Sequence, residues 1–563
     1  MGSILMALGA FLAFFIAYNT YGRFLARRIY RLKKDNPTPA HSQRDDMDYV
    51  PTRREVLFGH HYTSIAGTGP IVGPALAVIW GWLPAFLWVV FGSIFLGAVK
   101  DFGSLVVSTR SRGRSIGDIA SDLINPRVRT LFLLIVFFAL WIVIAIFGWV
   151  IGSVFQMYPE SVFPVWMEVP IALWLGHMVY RRGKSPLRLG LIAVGLMYVT
   201  VVIGTWFRID VSGIFGGYTL TFWIVAFLIY AYIASTLPVW RLLQPRDYIN
   251  GHELFIALGL LVLGVLVAHP KVVAPMVDLH PQGAPPIIPM MFVVVACGAI
   301  SGFHSLVGSG TSSKQLDRET DAQLIGYGSM LLEGVLAVLV LVAVAAGLGA
   351  AEWPSRYASW ATAQGLGAKV AAFVDGSANM IGALGIPRPI ALTIMGVFVA
   401  SFASTTLDTA TRIQRYVVTE LASAYKVKVL TRRHPATMVA VGTAAGLALW
   451  QLFRGGGGGG GAIILWPLFG TVNQLLAGLA LLIISLYLFK RKTPVRYTAI
   501  PMAFMLFITG WAMIHNLVGF QAQRNWLLLV MGGVIFILEI WLVLEAYFVF
   551  RRKRPVEEEA RQV

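Results

Sequence analysis

One cysteine, Cys297, stands in 563 residues, which excludes an internal disulfide and any multi-cysteine metal site. A lone free cysteine is expected as a small apolar residue inside a helix. Charge is also scarce. Only 13% of the side chains are charged against 57% hydrophobic, a balance foreign to soluble globular chains, so lipid is the expected solvent. No polar stretch is long enough for a soluble domain between the apolar runs. The first run, Ser3 to Tyr18, has no basic residue ahead of it and no small-residue cleavage site behind it, so a retained helix is expected there and not a signal peptide. Acidic residues number 27 against 45 basic ones, a formal net charge of +18. In a soluble chain that excess would suggest nucleic acid; here it follows the loops, and no nucleic-acid partner is expected.

Long apolar runs recur from Leu5 almost to Phe550. Runs of about 20 residues span a bilayer as helices, and marking them gives about fifteen. Nine lie near 3–20, 60–80, 83–107, 130–156, 162–180, 187–207, 219–238, 253–269 and 289–310. Six more lie near 324–350, 389–411, 435–453, 463–489, 498–516 and 526–549. Basic residues test this layout, because cytoplasmic loops collect them. Of the 45, Arg208, Lys271, Arg356, Lys369, Arg388, Arg454 and Arg524 fall on one side and Lys100 within a span, while the rest gather on the other. The N-terminus is therefore expected outside a bacterial inner membrane and the C-terminus in the cytoplasm. The loop Tyr21 to Phe58 can carry a short amphipathic surface helix or be a solvated linker. The stretch Glu352 to Pro387 is long for a connector and can lie along the membrane or dip into it. Gly455 to Gly461 reads as a flexible external loop.

Two spans cannot remain continuous helices. The second reads His60-His61-Tyr62-Thr63-Ser64-Ile65-Ala66-Gly67-Thr68-Gly69-Pro70-Ile71-Val72-Gly73-Pro74. Each proline costs a helix about 3 kcal/mol and each glycine about 1 kcal/mol relative to alanine. The ninth, running the opposite way, holds Gly298-Ala299-Ile300-Ser301-Gly302-Phe303-His304-Ser305-Leu306-Val307-Gly308-Ser309-Gly310. Unpaired backbone at membrane depth survives only against protein or a wet cavity, and two oppositely directed breaks are what an inverted-repeat transporter needs at its midplane site. The other reading of each is a tight helix crossing built on small residues.

With these segments, Gly97-Ala98-Val99-Lys100-Asp101-Phe102, Leu237-Pro238-Val239-Trp240, Pro245-Arg246-Asp247-Tyr248 and Leu465-Trp466-Pro467-Leu468-Phe469-Gly470 with Asn473-Gln474 make the chain resemble the carbon starvation (CstA) family. The resemblance covers roughly Gly59 to Lys490. Lys100 stands where Gln or His is usual before the Asp, and Thr63-Ser64 where many relatives carry alanines. The resemblance implies an all-α polytopic protein with a LeuT-like core of two inverted five-helix repeats, two discontinuous helices and accessory helices. Residues 1–58 would hold the first helix and a cytoplasmic loop, 59–490 the transporter core, and 491–563 two accessory helices and a tail. It implies a starvation-induced importer, with pyruvate and short peptides as the substrates associated with the family. If the ninth span is the sixth helix of such a core, the eleventh is the eighth, and its hydroxyls at Thr405 and Thr406 would face the unwound first helix around a coupling cation. Two extra helices then interrupt the first repeat.

Ionisable residues inside a bilayer cost about 2.5 to 3.5 kcal/mol at a helix centre, so each needs a reason. Asp101 reads as a gate or proton site, or as the ion-pair partner of a snorkelling Lys100. Asp408 has Thr405 and Arg412 on its helical face and serves either a structural pair with Arg412 or a cation or proton. Glu333 reads as a proton relay or as polar glue between helices. His60, His61 and His304 flank the breaks and can carry protons or simply hydrogen-bond. Glu539 reads as structural, Lys314 as part of the positive-inside pattern, and the aromatic run Leu83 to Val90 as lipid contact. The expected substrate site is Gly67, Thr68, Gly69, Ser301, Gly302, His304 and Ser305, where amides of the unwound stretches Gly67 to Gly73 and Gly302 to Gly310 attract an anion. The expected site for a coupling proton or sodium is Thr405, Thr406, Asp408, Asp101, Glu333 and His61. No cofactor and no firm metal site are expected; the partners are a small-molecule substrate and membrane lipid. The function read from the sequence is import of a small carboxylate-bearing nutrient, pyruvate before peptides, coupled to protons or sodium. The rival is a membrane sensor or channel without accumulation. An enzyme is not expected, since no nucleophile with a base or metal cluster is visible.

Overall fold

The structure, a computed structural model, describes residues 2–450 and 465–551. The Gly455 to Gly461 run and the tail after Arg551 lie outside the described residues.

Among those residues there is no strand, only helices and one isolated bridge between Thr52 and Leu316. The long helices are α1 (Gly2–Ile29), a bent pair α2 (Arg54–Ile65) and α3 (Gly69–Trp80), α4 (Trp82–Arg110), α5 (Pro126–Met157) and α6 (Pro159–Arg181). Then come α7 (Pro186–Trp206), α8 (Ser212–Thr236) and α9 (Leu243–Ala268). A second interrupted pair follows, α10 (Ile287–Val294) and α11 (Gly302–Gly310). The chain continues through α12 (Glu319–Gly347), α13 (Leu366–Gly382), α14 (Arg388–Ala424), α15 (Arg433–Ala448), α16 (Trp466–Lys490), α17 (Arg496–Ala522) and α18 (Trp526–Val549). Twelve are long and apolar enough to cross a membrane, thirteen if the bent pair is one span. All of the expected fifteen runs contain helix, but α15 and the α10–α11 pair fall short of that test of length and apolarity.

Local chemistry sets the ends. Asn125 caps α5 by accepting from the amides of Arg127 and Val128, with Pro126 at the first helical position, where its missing N–H costs nothing. Burial then sorts the helices. In the most apolar window of each, 94% of α16 and 89% of α12 and α14 are buried, against 33% for α1 and α18, so the former make the core and the latter face lipid. Trp88, within the aromatic run read as lipid contact, is buried and donates its indole N–H to the Val295 carbonyl.

Four expectations need correction. First, the helix read as starting near residue 253 begins at Leu243: the polar run Gln244 to His252 stays helical inside the protein because its charges are paired there, so Arg246 is no loop residue. Second, the loop between α1 and α2 carries only a four-residue helix, Pro39–Ser42, and is tied down instead of being a free linker. Glu319 accepts from the Lys33 amide at 2.9 Å and from Asn36 at 2.7 Å, and the Thr52 amide bonds the Gln315 carbonyl. Third, Glu352 to Pro387, which the apolar runs leave without a helix of its own, contains α13, and α13 packs against α3, α9 and α14. Fourth, the breaks are shorter or shifted: the first is Ala66 to Thr68, with Gly69 to Gly73 helical, and the second is Val295 to Ser301, with Gly302 to Gly310 helical.

Candidate functional site

The two breaks touch. A Cβ on Gly69 would lie 2.6 Å from the Cys297 Cβ, so only glycine lets the first break approach the second this closely. Gly298 has φ +88°, and a Cβ there would lie 2.7 Å from Ala337 with Pro70 at 3.6 Å. Cys297 thus belongs to unwound backbone and not to a helix interior.

Both helix restarts would aim backbone amides at an anion. At α11 the position is already taken, because Asn473 Oδ1 accepts from the Phe303 amide at 2.9 Å and Asn473 Nδ2 donates to Ser301 Oγ at 2.9 Å. Gly302 is pressed against the α16 backbone, and Ser305 donates to the Gly302 carbonyl within its own helix at 2.6 Å. At α3 the restart has no side-chain cap, and the buried Thr68 Oγ1 has no hydrogen-bond partner. Gly69 and Cys297 form part of the wall of a cavity of about 770 Å³ that reaches up past Lys369, Trp466 and His515.

Beside the second break lies a closed chain of charge. Lys100 is fully buried and does not snorkel: its ammonium donates to the Ser301 carbonyl and lies 2.7 Å from Asp101 Oδ1. Asp101 Oδ2 is 2.8 Å from His304 Nδ1, and His304 Nε2 is 3.2 Å from Glu333 Oε2. Glu333 Oε1 accepts from the Gly298 amide at 3.1 Å. The chain therefore begins and ends on the backbone of the second break. The potential ligand atoms of Cys297, His304 and Glu333 lie within 4.8 Å of one another.

A second cluster sits behind the first break. Arg246 donates to Asp408 and to the Tyr230 hydroxyl, and lies 3.1 Å from Asp247 and 3.7 Å from Glu168. Asp247 reaches His60 at 2.5 Å. Asp408 is therefore no partner of Arg412. Arg412 turns away to Asp48 at 2.9 Å, because a guanidinium one helical turn along α14 reaches the loop between α1 and α2 more easily than back into the core. Asn250 donates to Thr405 at 3.0 Å, Thr406 donates to the Ser64 carbonyl at 3.2 Å, and Ser64 Oγ meets Thr409 at 3.1 Å. The eleventh run thus faces the first break, as expected, but the Thr406 hydroxyl spends its donor on that carbonyl. His61 bonds Ser312 at 2.7 Å and joins neither cluster. Lys314 is more than a loop charge, lying 4.0 Å above the Tyr416 ring.

Sequence reading missed Arg246, Asp247 and Glu168 as one group, and Lys369 altogether. The signal for the first was present: an Arg-Asp pair within helical reach of the next apolar run repeats the Lys100-Asp101 pattern.

The model of a family described as carbon starvation protein CstA matches residues 2–381 and 355–512. The chain is 31% identical to the pyruvate/proton symporter BtsT of Escherichia coli over 89% of its own length and 80% of that protein. It is 32% identical to the peptide transporter CstA of Campylobacter jejuni over 92% and 81%. It is 30% identical to the peptide transporter CstA of Bacillus subtilis over 92% and 91%. Among solved structures, a mutant of the Eremococcus coleocola manganese transporter superposes with a TM-score of 0.50 at 11% identity, covering 90% of this chain and 99% of that one. At that identity the likeness speaks for the fold alone, a LeuT-like core of two inverted five-helix repeats with accessory helices.

Proposed function

Because the chain belongs to the carbon starvation protein CstA family, we propose that it imports a small carboxylate-bearing nutrient, pyruvate before short peptides, together with a proton. It is a multi-pass membrane transporter and not an enzyme. The N-terminus faces outward from the bacterial inner membrane and the basic loops face the cytoplasm, which puts the 770 Å³ cavity on the external side.

The observation that carries proton coupling is the chain Lys100–Asp101–His304–Glu333. One cation and two carboxylates share a buried space, and an uncompensated buried charge costs several kcal/mol. One proton, held between His304 and Glu333, balances the count. That proton sits where Glu333 grips the Gly298 amide and Lys100 the Ser301 carbonyl, so its arrival and departure act on the backbone of the second break. Alternating access then follows as the repeats rock about the breaks. Protons fit better than sodium, since the Thr406 hydroxyl that would face a sodium ion is bonded directly to the Ser64 carbonyl. The substrate carboxylate fits at the uncapped start of α3, with Thr68 Oγ1 as an unused donor and the dipole of α3 behind it.

The test is uptake of labelled pyruvate into proteoliposomes, with and without an inward proton gradient, challenged by dialanine. Gradient-driven accumulation that dialanine leaves untouched is expected. Binding without accumulation would replace this reading with a sensor, and inhibition by dialanine would exchange pyruvate for peptides.

A further inference from the structure

Lys369 has no role in the coupling chain, yet it is among the largest fully buried side chains. It stands on α13, in the wall of the cavity whose floor includes Gly69. Among the described residues no carboxylate lies within ion-pair reach of it, and the segment 451–464, outside the described residues, has no Asp or Glu in its sequence. The partner that the described residues do supply is the face of Trp466, 4.9 Å from the ammonium. Among the described residues no acidic side chain lines the cavity; Gln364, His515, Asn516 and Gln523 are its other polar walls. Burial alone, with no anion beside it, pushes the Lys369 ammonium down to about 7.

The backbone adds to this. Lys369 is the fourth residue of α13, whose N-cap is Gly365 and has no side-chain cap. Gly365 lines the same cavity. The N-cap end of a helix and an ammonium without a carboxylate partner thus stand at one space, and both favour negative charge. A positive-inside pattern does not explain a buried lysine on the side opposite the basic loops.

We propose that Lys369 and the uncapped start of α13 form an outer binding site for a small monocarboxylate, which captures the anion over Trp466 before it descends to Thr68 and Gly69. The site deepens the transport reading and rests on it for the direction of travel. The anion supplies the counter-charge that the ammonium lacks, and Trp466 shields the pair from water. A neutral molecule gains nothing there.

The experiment uses the full chain purified in detergent and in proteoliposomes, as wild type, Lys369→Met and Lys369→Arg. In detergent, acetate and pyruvate at fixed ionic strength, with chloride as control, should raise the Tm of wild type and Lys369→Arg, and not that of Lys369→Met. Without anion, Lys369→Met should melt no lower than wild type, since an unpaired buried charge has been removed; a lower Tm would show a structural lysine and overturn the proposal. In proteoliposomes, Lys369→Met should raise KM for pyruvate about tenfold with kcat within twofold, and Lys369→Arg should restore it. An unchanged KM in Lys369→Met, with wild type accumulating pyruvate, overturns the outer site and leaves the transport reading standing. Lys369-dependent stabilisation by carboxylates in a protein that accumulates no pyruvate keeps the site and overturns the transport reading.

Discussion

Two buried charge clusters stand beside two broken helices, and each repeats one pattern: a basic residue, the aspartate after it, and a histidine on the neighbouring half-helix. Lys100-Asp101 holds His304 on α11, and Arg246-Asp247 holds His60 on α2. They differ in what surrounds the pattern. Lys100 and Glu333 bind the backbone of the second break, and one proton balances the group. Arg246 faces three carboxylates, Asp247, Asp408 and Glu168, and touches no break backbone. On the proposed reading the first arrangement moves a break by gaining or losing a proton; the second ties α6, α9 and α14 together. A guanidinium suits that task, because its fixed fork serves several carboxylates at once.

Breaking the second cluster should have the larger effect on folding. Arg246→Leu leaves three carboxylates without a cation, and removing one partner from a buried pair costs about 3–5 kcal/mol; size-exclusion of the detergent-solubilised chain should yield no monodisperse protein, with Arg246→Lys recovering part of it. Lys100→Met should be milder, about 1–3 kcal/mol, because a proton can replace the lost charge and the Ser301 carbonyl loses one hydrogen bond; the chain should fold with a lowered Tm and lose gradient-driven uptake. Gly298→Ala tests whether the first cluster acts through backbone. A residue forced to positive φ costs about 1–3 kcal/mol, and Ala337 leaves no room for the methyl, so pyruvate accumulation should fall at least tenfold while expression survives. Glu168→Gln, by contrast, should leave the proton dependence of uptake intact with a rate within threefold. Chelation should have the smallest effect: EDTA treatment is expected to leave uptake unchanged, and a loss restored by one divalent metal would reassign Cys297, His304 and Glu333 as ligands.

The contrast between the clusters was half legible in the sequence. The breaks were visible because glycine and proline carry their cost locally, although reading Gly302 to Gly310 as unwound mistook helix-tolerated glycines for the true break at Val295 to Ser301, where Gly298 is the one glycine among mostly apolar residues. Asp101, His304 and Glu333 stood out as polar residues in apolar runs, but that they meet is a fact of tertiary packing. Arg246 was hidden by the rule that basic residues between spans belong to loops. Its burial depends on Asp408, 162 residues away, and no local pattern reports such a pairing. Lys369 was hidden in the same way, since a lysine in an external stretch looks solvated until α13 is seen to turn it inward.

The central claim is that one proton on the His304–Glu333 pair drives transport through the second break, and Glu333→Gln tests it most directly. In proteoliposomes, proton influx and pyruvate influx are measured together. The account predicts that Glu333→Gln still exchanges labelled for unlabelled pyruvate across the membrane but neither carries protons nor accumulates pyruvate under an imposed pH gradient. Accumulation by Glu333→Gln with an unaltered proton-to-pyruvate ratio would contradict it.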